Sequence, residues 1–467
     1  MTDCFNTFAW NWLNGSSLIA TATEAVAESD AEEGTLVLAG VLLSLVIVYF
    51  ASKLGGEICS RINLPPVLGE LVGGVLIGIS AFRLLVFPET SSAEDSLIIS
   101  MLQSTAGLPP EAASSVFEAQ SEVITLLSEL GVIILLFEIG LESDLKELIR
   151  VGPIAAVVAV VGVVAPFISG TLGLIYIFGT PVVPAIFAGA ALTATSIGIT
   201  AKVLAELGEL SSEEGQIIIG AAVLDDILGI VVLAVVASLV KTGEIQVTNI
   251  VYLVISAAVF LIGSILLGRL VSPLIVGLVN EMKTRGEVLI TGLVFAFSLS
   301  YIATAIHLEG ILGAFAAGLI LAETEKRKEL EEQVIPVADI LVPVFFVCVG
   351  AKTDLSVLNP AVPSNREGLI IATFLIIVAI LGKVITGFTV FGNPKLNKLA
   401  IGVGMIPRGE VGLVFAGVGS ASGALSEATE AAIIVMVIST TFVAPPLLRL
   451  VFKERETVTR TVDKVGE

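Results

Sequence analysis

GAAVLDDILGIVVLAVV, residues 220–236, sets two adjacent aspartates, Asp225 and Asp226, near the middle of a segment long enough to cross a bilayer. Nothing else between Gly215 and Leu239 is charged. One carboxylate at the bilayer centre costs on the order of 2.5 kcal/mol or more. Two neighbours also repel, so at least one must hold a proton or meet a cation. The pair is therefore a candidate proton and cation site. The plainer alternative is a pair capping a helix break or facing an aqueous gap.

The rest of the chain fits a membrane. Of 467 residues, 55% are hydrophobic and 15% charged, against about 25% charged in an ordinary soluble domain. Mean hydropathy is +1.00. The 45 glycines and 18 prolines suit close helix packing and broken membrane helices. The net charge of -20 comes from acids clustered in loops and identifies no partner. No basic tract or helix-turn-helix pattern suggests nucleic acid. Cys4, Cys59 and Cys348 lack metal-ligand spacing, and His307 is the one histidine, so a transition-metal carrier is disfavoured. No GxxxxGK[ST] loop for ATP is present. Residues 1–33 carry Glu24, Glu28, Asp30, Glu32 and Glu33 without a basic n-region, which reads as an acidic arm rather than a secretory signal.

Working outward from Asp225, thirteen spanning segments are predicted. They are 35–53, 64–87, 122–141, 150–174, 181–205, 215–240, 248–280, 286–306, 308–322, 334–351, 367–390, 396–420 and 428–451. With the N-terminus outside or lumenal, sixteen Lys and Arg fall in inner loops and the 452–467 tail, against Lys241, Lys352 and Arg366 outside. That bias fixes the expected orientation, with the C-terminus cytoplasmic. The long outer loop 88–121 has no Lys or Arg.

The chain repeats itself. INLPPVLGELVGGVLI at 62–77 aligns with IHLEGILGAFAAGLIL at 306–321, and LLFEIGLESDL at 135–145 with FFVCVGAKTDL at 345–355. The shift is seven segments, and an odd shift inverts one half in the membrane. The expected architecture is an all-α polytopic protein built as an inverted-topology repeat. Its halves are 34–240 and 286–451, joined by a linker helix at 248–280.

In such folds the site lies where helices are interrupted. The fifth segment reads GAALTATSIGIT at 189–200, where Thr193, Thr195 and Ser196 supply oxygens. Its mate, IGVGMIPRGEVGLVFAG at 401–417, contains Pro407, Arg408 and Glu410, with Gly402, Gly404, Gly409 and Gly412 lowering the cost of unwinding. Helix packing by small residues is the plainer reading of the first, and an ordinary helix end that of the second. Lys383 lies in mid-span, too deep to snorkel, and Asp225 is its expected partner. Glu138, Glu70 and Asp339 are weaker candidates, as a gate, peripheral carboxylates or end caps. His307 reads as a surface residue.

Four motifs now stand in order: TATSIGITAKVLAELG at 193–208, GAAVLDDILGIVVLAV at 220–235, FFVCVGAKTDL at 345–355 and GVGMIPRGEVGLV at 402–414. Together they resemble the second monovalent cation:proton antiporter family over residues 35–450, most of all its bacterial and cyanobacterial sodium/proton antiporters with a paired-aspartate centre. The resemblance implies a thirteen-helix homodimer with the cation/proton antiporter fold and two broken crossing helices. It implies an ion-carrying core from helices within 122–240 and 334–451, with the remaining helices forming a dimerisation domain. It implies Asp226 as the main cation and proton carboxylate, and Asp225 as the partner of Lys383. In the related glutathione-gated potassium efflux systems the first acid is replaced and a nucleotide-binding domain follows. Here both acids stand, and about 16 residues follow the last segment, so no such regulatory domain is expected.

The expected function is secondary active exchange of Na+ or Li+ for H+ by alternating access, serving pH homeostasis, with no cofactor, no enzymatic step and no metal beyond the transported cation. If Lys383 gives up its proton as the cation binds, two protons move per Na+ and exchange is electrogenic; otherwise one moves. The alternatives are a potassium/proton antiporter and, more remotely, a cation channel or an organic-ion carrier. The expected setting is the bilayer of a bacterial inner membrane or a cyanobacterial plasma or thylakoid membrane.

Overall fold

The computed structural model describes residues 33–242, 247–282, 284–361, 363–391, 396–421 and 423–465. The arm at 1–32 lies outside them. Among the described residues every regular element is helical. The first half holds α1 (Glu33–Arg61), α2 (Pro66–Ile77), α3 (Leu97–Thr105), α4 (Ala113–Glu142) and α5 (Leu145–Phe178). It continues with α6 (Val182–Ala191), α7 (Ile197–Glu206) and α8 (Glu213–Thr242). The long α9 (Val247–Glu281) leads to α10 (Glu287–Ala305), α11 (Gly310–Ala322) and α12 (Arg327–Ala351). Then come α13 (Pro363–Phe388), α14 (Lys398–Gly404), α15 (Glu410–Ala421) and α16 (Glu427–Val465).

Among the described residues nine helices are long and apolar enough to cross a bilayer, and α2, α6 and α11 are shorter apolar helices. Each of the thirteen sequence segments falls on a helix or a helix pair, with corrected bounds in three places. The segment 64–87 is helical only to Ile77; Gly78 turns the chain, and Leu85, Val86 and Phe87 are buried by packing rather than by helix formation. The stretch 88–121 is not a plain loop. It holds α3, with Ile98, Ile99 and Leu102 buried, and ends inside α4. The tail from 452 continues α16 to Val465.

Local chemistry accounts for the helix starts. Asp144 caps α5, its Oδ1 accepting from the Lys146 N–H at 2.8 Å, and Asp354 accepts from the Ser356 N–H at 2.8 Å just after α12. These aspartates are repeat mates in the sequence alignment. So are Asn63 and His307, which both adopt left-handed backbone, φ 57° and 64°. Pro65 and Glu309 then open α2 and α11 with nearly equal angles, φ/ψ -58°/132° and -63°/130°.

Glycine sets two close crossings. A Cβ on Gly74 of α2 would lie 2.2 Å from the Val347 carbonyl oxygen of α12, and one on Gly350 would lie 2.1 Å from that of Leu71. The same contact recurs between α11 and α4: a Cβ on Gly318 would lie 2.3 Å from the Phe137 oxygen, and one on Gly140 2.5 Å from the Phe315 oxygen. Only glycine lets these backbones meet.

Two packing groups emerge. α4 and α12 pack on each other's neighbours, α11 and α2, with α10 beside them. α5, α6, α8, α13, α14, α15 and α16 pack mainly among themselves. Helices 122–141 and 334–351, α4 and α12, thus pack with the first group. Their crossing glycines bind them to α2 and α11.

Candidate ion-binding site

α6 stops at Ala191 and α7 starts at Ile197; α14 stops at Gly404 and α15 starts at Glu410. The two gaps have equal length and meet. The Ser196 N–H donates to the Pro407 carbonyl at 2.8 Å, Thr195 Oγ1 to the Met405 carbonyl at 3.2 Å, and Thr200 Oγ1 to the Gly404 carbonyl at 2.9 Å. Pro407 helps end the helix because it has no N–H to offer. A Cβ on Gly409 would stand 2.8 Å from Ser196 Oγ, so glycine permits the contact.

Four half-helix ends converge here. The carbonyl ends of α6 and α14 carry partial negative charge, and the N–H ends of α7 and α15 partial positive charge. Arg408, fully buried, answers the carbonyl ends. Its Nη2 donates to the Leu192 oxygen at 2.6 Å, and its Nη1 to those of Met405 at 3.3 Å and Ile406 at 3.4 Å. Thr441 Oγ1 donates to the Arg408 carbonyl. These bonds to carbonyl groups of both breaks make Arg408 a cross-tie between them. Glu410 opens α15, and its side chain lies outside the described residues.

α8 brings in the acids. Asp225 lies twelve residues after Glu213, about 18 Å along the helix at 1.5 Å per residue. Lys383 of α13 donates to Asp225 at 3.3 Å (Oδ1) and 3.1 Å (Oδ2), and both side chains are completely buried. Gly162 of α5 makes room, since a Cβ there would sit 3.2 Å from Lys383 Nζ. The expected ion pair is therefore present.

Asp226 faces elsewhere. With Thr195, Ser196, Ala194, Gly409 and Val411 it lines a cavity of about 20 Å³, enough for one water-sized occupant. The N–H ends of α7 and α15 flank this cavity and favour negative charge in it. Thr193 stands apart, its hydroxyl donating to the Ala190 carbonyl at 2.7 Å, and Pro407 is not in the lining.

The weaker candidates gather toward the far end of α7. Glu70 and Glu138, together with Glu206, lie within electrostatic range of Lys202. Ser52 Oγ donates to Glu70 at 3.1 Å, and the Val67 N–H donates to Glu206 at 3.2 Å. Asp339 is exposed beside them, and His307 is exposed at its turn. None of these five lines the Asp226 cavity. Lys202 and Glu206 were missed, although both stand inside the quoted motif 193–208. Glu309 was also missed, and it does line the cavity. A carboxylate immediately before a short apolar span was the available signal.

The chain resembles known proteins in sequence and in fold. The chain is 74% identical over 437 residues to the high-affinity Na+/H+ antiporter NhaS3 of Synechocystis sp., covering 93% of this chain and 94% of that protein. It is 31% identical over 417 residues to the Na+/H+-K+ antiporter GerN of Bacillus cereus, covering 88% and 96%. In fold it resembles the sodium proton antiporter MjNhaP1 of Methanocaldococcus jannaschii, with a TM-score of 0.57 at 17% identity over 90% of this chain and 99% of that one. Residues 32–454 match the description "sodium/hydrogen exchanger, transmembrane", and the chain belongs to that family.

Proposed function

We propose that the protein is a secondary active antiporter that exchanges Na+ or Li+ for H+ by alternating access, the two ions competing for Asp226. One observation carries this reading: Asp226 shares a cavity of about 20 Å³ with Thr195 and Ser196 where two broken helices meet, beside the buried Asp225–Lys383 pair. A carboxylate, two hydroxyls and unwound backbone are hard oxygen ligands suited to a small cation. The cavity is too small for an organic ion, and no continuous pore is needed.

The coupling follows from charge. An empty, ionised Asp226 is costly to carry across the apolar barrier. The site therefore crosses with a proton or with Na+, and the fluxes are locked together. Arg408 keeps the half-helix ends in register while this happens. If Lys383 loses its proton when the cation draws on Asp225, the cycle moves two protons per Na+ and generates current. If Lys383 stays charged, it moves one.

The architecture proposed with this mechanism is thirteen spans in an inverted repeat. The matched turns at Asn63 and His307, the matched caps at Asp144 and Asp354, and the mirrored glycine crossings support it. The ion-carrying unit is α5–α8 with α13–α16. The other unit carries the homodimer contact, which suits the apolar stripe Leu38, Leu42, Val46, Phe50, Leu54 and Ile58 exposed along α1. The Lys and Arg bias supports an outer or lumenal N-terminus in a bacterial or cyanobacterial membrane. The names of NhaS3 and GerN support Na+, and that of GerN keeps K+ as a second reading.

Proteoliposomes carrying a proton-sensitive dye, given Na+, Li+, K+ and choline in turn, test the substrate. Responses to Na+ and Li+ without K+ support the first reading, and a K+ response supports the second. A current under a Na+ gradient identifies the two-proton cycle, and its absence removes it.

A further inference from the structure

The Asp226 cavity has a neighbour. A larger cavity of about 410 Å³ lies between α4, α10, α11 and α12, lined by Ser128, Glu129, Thr304, Glu309, Phe345 and Lys352 among others. Two residues, Glu309 and Ile311, line both cavities. The wall between the entrance and the ion centre therefore contains one carboxylate and one apolar side chain.

We infer that Glu309 captures the cation on the route between this entrance and Asp226, and so sets the Na+ affinity seen from that face of the membrane. The inference deepens the antiport reading and rests on it.

The side chain is not consumed by a structural task. Glu309 occupies the N-cap position of α11, yet its side chain makes no capping bond. Its side chain is exposed and forms no hydrogen bond or ion pair among the described residues. The other charges of the entrance favour a cation near it. Glu129 lies within electrostatic range of Glu309. The one lysine of the lining, Lys352, is held by Glu89 at 3.5 Å and over the Phe87 ring at 4.6 Å. A cation entering here meets Glu309 after it leaves bulk water and before Asp226, so its dehydration proceeds in two steps.

In the other half of the chain the positions aligned with Glu309 and Ile311 carry no carboxylate of their own. The repeat mate of Glu309 is Pro65, and the mate of Ile311 is Val67, whose N–H is occupied by Glu206 at 3.2 Å. Capture by Glu309 is thus one-sided, and the two faces should differ in their response to its loss.

The test is the Na+ dependence of proton flux for wild type, Glu309→Gln and Glu309→Asp, in proteoliposomes of known orientation with Na+ added on either face. For Glu309→Gln the Na+ KM on the Glu309 face should rise about fivefold, the scale of one unit charge acting through partly aqueous surroundings. The KM on the other face should stay near wild type, and Glu309→Asp should keep most of the affinity. Glu129→Gln, which alters the entrance but not the ion cavity, should raise the same KM less. An unchanged KM in Glu309→Gln overturns the inference, as does an equal rise on both faces, a lost maximal rate with KM preserved, or a larger effect from Glu129→Gln. If wild type itself shows no Na+-driven proton flux, the antiport reading has failed and capture falls with it. If wild type exchanges and Glu309→Gln behaves identically, capture alone is wrong.

Discussion

At the scale of single residues, the molecule divides labour between two adjacent acids. Asp225 is spent on Lys383, 3.1 Å away in a fully buried pair, while Asp226 opens on the cavity. Removing one partner of such a pair leaves an uncompensated charge and costs about 3–5 kcal/mol. Lys383→Ala should therefore lower thermal stability in detergent strongly. Lys383→Met combined with Asp225→Asn should recover much of the loss, because neither charge is then stranded. An additive loss in the double variant would show that the pair is not the stabilising unit. Arg408→Met should also destabilise, since it strips charged donors from the Leu192, Met405 and Ile406 carbonyls at once, each hydrogen bond to a charged group contributing about 1.5–3 kcal/mol. The aspartate pair and Lys383 were legible because ionised groups are rare in apolar runs. Glu309 was not, because a carboxylate at a helix boundary looks like an ordinary surface acid until two cavities are seen to share it.

At the scale of elements, glycine decides where helices meet. The Gly74–Gly350 and Gly140–Gly318 crossings fall at aligned positions of the sequence and make the same contact, so Gly74→Ala and Gly318→Ala should destabilise to similar degrees, by about 1–3 kcal/mol, the usual cost of overpacking. Unequal melting shifts would argue that the two crossings bear unequal load. Gly409→Ala presses on Ser196 and should lower transport more than stability, measured as proton flux against melting temperature in the same preparation. The existence of the breaks was legible from Pro407, the glycines and the Thr-Ala-Thr-Ser run. Their contact, tied by Thr195, Ser196 and Thr200 to backbone 204 to 211 residues away, was not, since no local pattern records which carbonyl a hydroxyl will find. The packing partners of α4 and α12 were illegible for the same reason: both are apolar helices, and only their glycine contacts show which neighbours they join.

At the scale of the whole molecule, the proposed thirteen-span architecture and the charge bias predict a definite orientation. In a background with Cys4, Cys59 and Cys348 replaced, a cysteine introduced at Ser104, exposed at the end of α3, should react with an impermeant reagent from the outer or lumenal face. One at Glu329, near the start of α12, should react from the cytoplasmic face. Labelling of both from one face would contradict the thirteen-span reading. The central claim concerns Asp226, and Na+-driven proton flux in proteoliposomes of wild type and Asp226→Asn measures it most directly. The account predicts robust flux in the wild type and none above background in the variant, with the variant still folded by its melting transition. Full exchange in folded Asp226→Asn would contradict it.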